Sequence, residues 1–278
     1  MARALMELVI EGGRRPALLQ GWRELWAFRE VILAFAERNV RLKYKQAALG
    51  VAWAVIQPLA FLGIFIIIFG RVAGVSGGNG SYPAFALAAL VPWFFLQTGV
   101  SFGAQALLMD GALVRKVYFA REAPVLGAVL SAGLDFGIGL GVLLILGPFL
   151  GMRLTWTALL AVPLWVLLAV LASGVALLLG AMNVYYRDFR YALPVLLQLW
   201  MFSSPVAYPL TAVPEQWRTV YVALNPVAGI LDGFRLAVAQ GQVPDLATVG
   251  ISAMGTLFIA LLGYLVFKRM EPGFADAI

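Results

Sequence analysis

Cysteine and histidine are both absent from the 278 residues. Their absence excludes disulfides, thiolate and imidazole metal sites, Cys–His nucleophile pairs and Ser-His-Asp triads. It also removes cysteine usage as a guide to redox compartment. Charge is scarce: 12% of residues are ionisable Asp, Glu, Lys or Arg, against about 25% in an average soluble domain. A phosphate-binding P-loop is missing too, because that loop needs Gly-Lys-Ser/Thr after a glycine-rich turn. The lysines here follow Leu42, Tyr44, Arg115 and Phe267. No ATP-hydrolysing site of that type is present. A membrane-embedded transferase would need a positioned acid, base or metal, and a chain without histidine and with a single carboxylate inside its apolar runs is poorly equipped for one. No catalytic residue, metal site or cofactor is therefore expected in this chain.

What remains is strongly apolar. Hydrophobic residues make up 62% and mean hydropathy is +0.91, more than one soluble core of this size can bury. Uncharged windows mark candidate membrane spans. Six are predicted: Ala47–Gly70, Pro83–Met109, Pro124–Leu150 (interrupted only by Asp135), a stretch within Leu154–Tyr186, Tyr191–Leu210, and Leu246–Phe267. The first alone reaches about 36 Å as a helix, enough for a hydrocarbon core of about 30 Å. No strand-like alternation competes, so the expected fold is all-α and membrane-integral. No cleavable leader is expected, since Glu7, Glu11 and a Gly-Gly-Arg-Arg turn interrupt the first apolar patches.

The net charge of +6 points to a membrane surface rather than nucleic acid once the cations are located. They crowd before the first span, with Arg38, Arg41, Lys43 and Lys45 at its doorstep. Others lie between spans two and three (Arg115, Lys116, Arg121), between four and five (Arg187, Arg190), and after span six (Lys268, Arg269). Arg71, Arg153, Arg218 and Arg235 alone fall on the opposite side. Basic loops stay cytoplasmic, so both termini are expected there. The segments are then 1–46 as a cytoplasmic N-terminal segment, 47–268 as the transmembrane domain, and 269–278 as a cytoplasmic tail.

Residues 22–37, WRELWAFREVILAFAE, place Arg23, Glu30 and Glu37 on one stripe and Trp22, Leu25, Trp26, Leu33 and Ala36 on another. This pattern fits an amphipathic helix lying on the membrane surface, with Trp22, Arg23, Trp26 and Glu30 as its signature residues; the alternative is a helix packed on the same chain. Residues 211–245 contain two apolar pieces split by Asn225-Pro226, each too short to cross. They are predicted to leave and return on the outer face as two short helices, with Asn225, Pro226, Asp232 and Arg235 as candidate external-gate residues.

Asp135 shares a four-residue-spaced stripe with Gly127, Ser131 and Gly139. It reads either as a helix-contact group or as a proton or cation relay. Proline and amide groups punctuate the spans, and aromatics cluster beside them: Trp93, Phe94 and Phe95 with Gln97; Gln198, Trp200, Phe202 and Tyr208. Two readings stay open, an interfacial aromatic belt or a pathway on which sugar rings stack.

These pieces together carry a resemblance. RLKYKQAALGVAWAVIQP, IIFGRVAG, LVPWFFLQTGVS, VRKVYFAREAPVL, NVYYRDFRYALPVLLQLWMFSSPVAYPL, ALNPVAGILDGFRLA and FKRMEPGFADAI, in this order, resemble polysaccharide-exporting ABC permeases of the ABC-2 type, most of all the O-antigen permeases. Ala120 departs from a proline common in that family after Tyr-Phe. The resemblance implies a homodimer of six-span subunits with an interface helix. It implies two copies of a cytoplasmic ABC ATPase, which would hold ATP and Mg, and a lipid-linked polysaccharide as substrate in the bacterial inner membrane. Teichoic acid, capsule, or a small drug or lipid is the alternative cargo. It also assigns ATPase coupling to Arg115, Lys116, Tyr118, Phe119, Arg121 and Glu122, with Arg187, Asp188 and Arg190 as a second candidate contact.

Overall fold

The computed structural model describes residues 25–45, 50–75, 81–117, 119–186 and 188–277. Among these the chain is helical with no strand. In order the helices are α1 (Arg29–Lys45), α2 (Trp53–Phe65, continued by a π-helical stretch Ile66–Val72), α3 (Tyr82–Met109), α4 (Gly111–Lys116), α5 (Ala123–Leu146), α6 (Ala161–Tyr185), α7 (Phe189–Ser203), α8 (Glu215–Leu224), α9 (Pro226–Ala239), α10 (Leu246–Met270) and α11 (Phe274–Ala277).

Five helical stretches are long and apolar enough to cross a membrane: Gly50–Val72, Tyr82–Met109, Ala123–Leu146, Trp156–Tyr185 and Leu246–Gly273. The pair α8 and α9, bent by 108°, would make a sixth if taken as one broken span. The fifth predicted span, Tyr191–Leu210, is shorter than the sequence suggests. Its helix α7 has 15 residues, about 22 Å, and residues 204–209 are not helical. The cause is local: Ser204 is extended (φ −103°, ψ 154°), as the residue before a proline prefers, and Pro205 has no N–H to continue the ladder.

Helix α3 is the axis of the bundle. It is apolar on every side, and such a helix ends up surrounded; 72% of its most apolar window is buried, against 17% for the α2 and α10 stretches. It packs on α5, α6, α9 and α2. Ser81 caps its start by accepting from the Ala84 N–H. Asp245 does the same for α10, accepting from the N–H groups of Ala247 and Thr248 and from the Thr248 hydroxyl. The Thr248 hydroxyl, and then the two N–H groups, hold the Asp245 carboxyl below the usual carboxylate range.

Helices α6 and α10 meet backbone to backbone. A side chain at Gly174 would enter the backbone of Ala260, and one at Gly263 would enter the Gly174 carbonyl. Small residues permit this approach where lipid supplies no hydrophobic drive between helices. Gly263→Val is expected to force the pair apart at about 1–3 kcal/mol. The expected result is a lower thermal-aggregation midpoint of the detergent-solubilised protein; an unchanged midpoint would contradict the contact.

The bent pair lies along α10. Pro226, at the corner, abuts Gly255, and Gly233 in α9 faces Val249. Helix α9 thus runs antiparallel to the first turns of α10. The Asn225–Pro226 corner sits about 14 Å from the α10 start.

Helix α1 follows a helical turn at residues 25–27 and ends later than the amphipathic pattern predicts. Trp22 and Arg23 lie outside the described residues, and the helix extends through the cation cluster to Lys45. Rather than standing clear of the bundle, α1 runs side by side with α5. Ile32 and Phe35 are buried, and a Cβ on Gly127 would lie 2.5 Å from that of Phe35. Eight residues further on, Lys43 meets Asp135, itself eight residues after Gly127. Equal spacing on both helices makes them parallel neighbours. Leu33 on the other side of α1, and Trp26 in the turn before it, remain exposed.

Candidate functional site

Three groups of polar residues stand out from the apolar bundle. The first lies at the end holding α4 and the chain's last residues. Arg115 and Lys116 are exposed at the close of α4. Phe119 packs on Phe35 of α1, ring centroids 5.6 Å apart. Arg121 donates from Nη1 to the Glu271 carbonyl. Glu122 is 1% exposed and pairs with Lys268 at 2.6 Å; Lys268 also reaches Glu271 at 3.0 Å. Asp188 and Arg190 are exposed at the start of α7, close in sequence to Tyr185, whose hydroxyl donates to the Met270 carbonyl. Tyr118 and Arg187 lie outside the described residues. Trp26 is exposed and carries Arg29 above its ring at 5.5 Å, while Glu30 points to the surface.

The second group surrounds the break after α7. Four carbonyls freed there, those of Ser203, Pro205, Val206 and Ala207, accept from side chains. Tyr221 and Asn225 donate to Ser203, at 2.6 and 3.4 Å. Arg235 donates from Nη2 to Pro205 at 2.6 Å and to Val206 at 3.4 Å. Tyr82 donates to Ala207 at 3.0 Å. Asn225 also donates to the Ser204 hydroxyl and accepts from the Trp200 indole, each at 2.9 Å. Tyr208 shares a hydrogen bond with Tyr221. Arg235 is 1% exposed, lies 3.6 Å over the Phe85 ring, donates to the Phe85 carbonyl and pairs with Asp232 at 3.6 Å. Non-helical backbone at membrane depth persists only where such partners meet it. The sequence reading named Asn225, Pro226, Asp232 and Arg235 here but missed Tyr82 and Tyr221. A tyrosine next to a break carries no distinguishing sequence pattern.

The third group contains Asp135, which the sequence singled out as a helix-contact or relay group, with partners that the sequence did not assign to it. Asp135 accepts from Lys43 Nζ and from the Tyr44 hydroxyl, both of α1, and Asp110 pairs with Arg38 at 2.6 Å. The Gly127–Ser131–Asp135–Gly139 stripe is a helix-contact face: its first three members face α1 and its last meets Val91 of α3. Between α1, α3 and α5 lies a cleft of about 370 Å³, with Arg38, Asn39, Lys43, Phe102, Asp110 and Ser131 among its walls.

The aromatic candidates divide. Trp93 and Phe95 are 0% and 1% exposed and belong to the protomer's core, Phe95 against Phe136 and Trp165. Phe94 is buried too and meets Phe61 of α2. A ring enclosed on both faces has none left for a sugar in this conformation. Gln97 is half-buried. Trp200 packs edge-on against Trp93 while its indole holds Asn225. Gln198 and Phe202 lie exposed on α7 beside Tyr191, Val195 and Leu199.

Comparison with known proteins shows which family the sequence matches. Residues 30–238 match the family model described as ABC-2 type transporter. The chain is 26% identical to an O-antigen export system permease protein of Myxococcus xanthus, over 92% of this chain and 98% of the relative. It is 22% identical to an O-antigen export system permease protein of Klebsiella pneumoniae, over 90% and 95%. It is 26% identical to a polysialic acid transport protein of Escherichia coli, over 84% and 91%.

Proposed function

The chain belongs to the ABC-2 type transporter family, and from that premise we propose that it is the membrane-spanning permease subunit of a bacterial polysaccharide exporter, most directly of O-antigen. The observation that carries this reading is the extent of the likeness: nearly the whole chain aligns with permeases of O-antigen and polysialic acid export. The cargo is lipid-linked polymer, and the site is the cytoplasmic membrane with both termini inside. Energy comes from a separate ATPase, because this chain has no Gly-Lys to hold a phosphate.

Two copies of the chain flank the route, and two ATPases bind at the end carrying Arg115, Lys116 and the α4 loop. The exposed α7 face, with Gln198 and Phe202, contributes weak, repeatable contacts to sugar rings, whose C–H faces are apolar and whose hydroxyls pair with amides. Weak repeated contacts let a polymer slide without being trapped. The bent pair α8–α9 is a re-entrant element closing the exit, and its buried polar network supports that role. The outer face of α1 with Leu33, and Trp26 in the turn before it, meet lipid.

The test is deletion in a host that makes the polymer. Polymer is expected to accumulate in the cytosol and disappear from the surface, and the restored gene should reverse both. Undiminished surface polymer in the deletion strain would refute the reading. In the complemented strain, Phe202→Ala together with Gln198→Ala is expected to cut export several-fold with ATPase assembly intact.

A further inference from the structure

Residues 268–274 make contacts that a loose tail would not. Glu122, one residue before α5, is a buried carboxylate whose partner is Lys268 on the last turn of α10. Its neighbour Arg121 donates to the Glu271 carbonyl, and Glu271 is itself held by Lys268. Two consecutive residues of the α4–α5 loop are thus fastened to one turn at the end of α10, far away in sequence. Beyond that turn Phe274 is 0% exposed, set edge-on against Phe267 at 5.2 Å and tilted on Tyr185 at 6.2 Å. Tyr185 closes the circuit by donating to Met270. Enclosing a carboxylate with an ammonium gains little net stability, so energy alone gives no account of the arrangement. Its effect is geometric: the loop, the end of α6 and the end of α10 are joined.

Helix α10 carries that junction back into the middle of the bundle. It locks to α6 at Gly174 and Gly263 and abuts the corner of the bent pair at Gly255 and Pro226. We propose that the Glu122–Lys268–Glu271 cluster is a positioning strut that makes the α4–α5 loop and α10 one mechanical unit, so that a push on the loop is delivered through α10 to the Asn225–Pro226 corner. The inference rests on the reading above, in which the ATPase acts at the loop. Coupling between distant sites requires a connected element that both ends bias, and α10 is that element. Glu122, Lys268 and Arg121 are positioning residues, since they act on the route only through the helix.

The experiment uses the permease–ATPase complex. Because the chain has no cysteine, Ala112→Cys with Arg269→Cys places a spin label at each of two chosen exposed positions. In the parent background, with labelled chains diluted into unlabelled ones so that a complex carries one labelled copy, the Ala112–Arg269 separation is expected to stay single and constant with and without nucleotide. With Glu122→Gln it should broaden, and polymer export should fall about tenfold while ATP hydrolysis persists. Glu122→Lys combined with Lys268→Glu should recover at least half of export. A parent separation that changes with nucleotide, or a Glu122→Gln variant exporting within twofold of the parent, overturns the strut. Failure of the unaltered complex to export polymer would instead count against the cargo assigned above, and the label distances would still decide the strut.

Discussion

Arg235→Ala is expected to lower the thermal unfolding midpoint of the detergent-solubilised protein by roughly 10 °C, and to leave little folded protein in the membrane. The side chain is 1% exposed and donates to three carbonyls, two of them in the break after α7. Truncation orphans those carbonyls, strips Asp232 of its partner and opens a void against Phe85. Removing one partner from a buried charged network costs about 3–5 kcal/mol, and a protein of this size loses about 2–4 °C per kcal/mol. Arg235→Lys should rescue little of this. An ammonium cannot stack flat on the Phe85 ring while serving carbonyls on separate segments. A near-normal midpoint for the alanine variant would show that the break holds itself together without the clamp.

The second large effect is expected at Lys43. Lys43→Glu sets a carboxylate against Asp135, whose side chain is 15% exposed, and turns an attraction into a repulsion in a poorly solvated cleft. Helix α1 should detach along its second half while its first half stays on Ile32 and Phe35. Hydrogen exchange over residues 38–45 should accelerate at least tenfold, with α5 unchanged. The exchanged pair, Lys43→Asp with Asp135→Lys, should restore protection. Unaltered exchange in Lys43→Glu would mean that Arg38–Asp110 and the apolar contacts suffice to seat α1.

The sequence was legible where one physical rule acts alone. Uncharged runs long enough to span located the five long helices. It was less legible where two rules compete. Tyr191–Leu210 satisfies the apolar-length rule, yet Pro205 ends its helix at Ser203. Lys43 satisfies the rule that cations gather at the headgroups, yet the parallel register of α1 and α5 brings it to Asp135. No local pattern announces that pairing. Arg235 counts as an outward cation in a charge tally, while its side chain is enclosed by backbone and a phenyl ring. Trp93, Phe94 and Phe95 cluster with Gln97 on a helix that is apolar all round, so periodicity could not say which rings face the protomer's interior.

The depth of the Asn225–Pro226 corner has a consequence for the lipid around it. The amide of Asn225 and the hydroxyl of Tyr221, both half-buried at that corner, lie about 14 Å inward along α10, close to half the thickness of a hydrocarbon core. On the proposed orientation the outer leaflet therefore meets a wettable notch instead of a greasy wall. On that orientation the insulating slab would be thinned beside α7, and the membrane voltage would drop there over a shorter distance. Under the proposed function, a hydrated chain leaving at that notch would have only about one leaflet of dielectric barrier to cross.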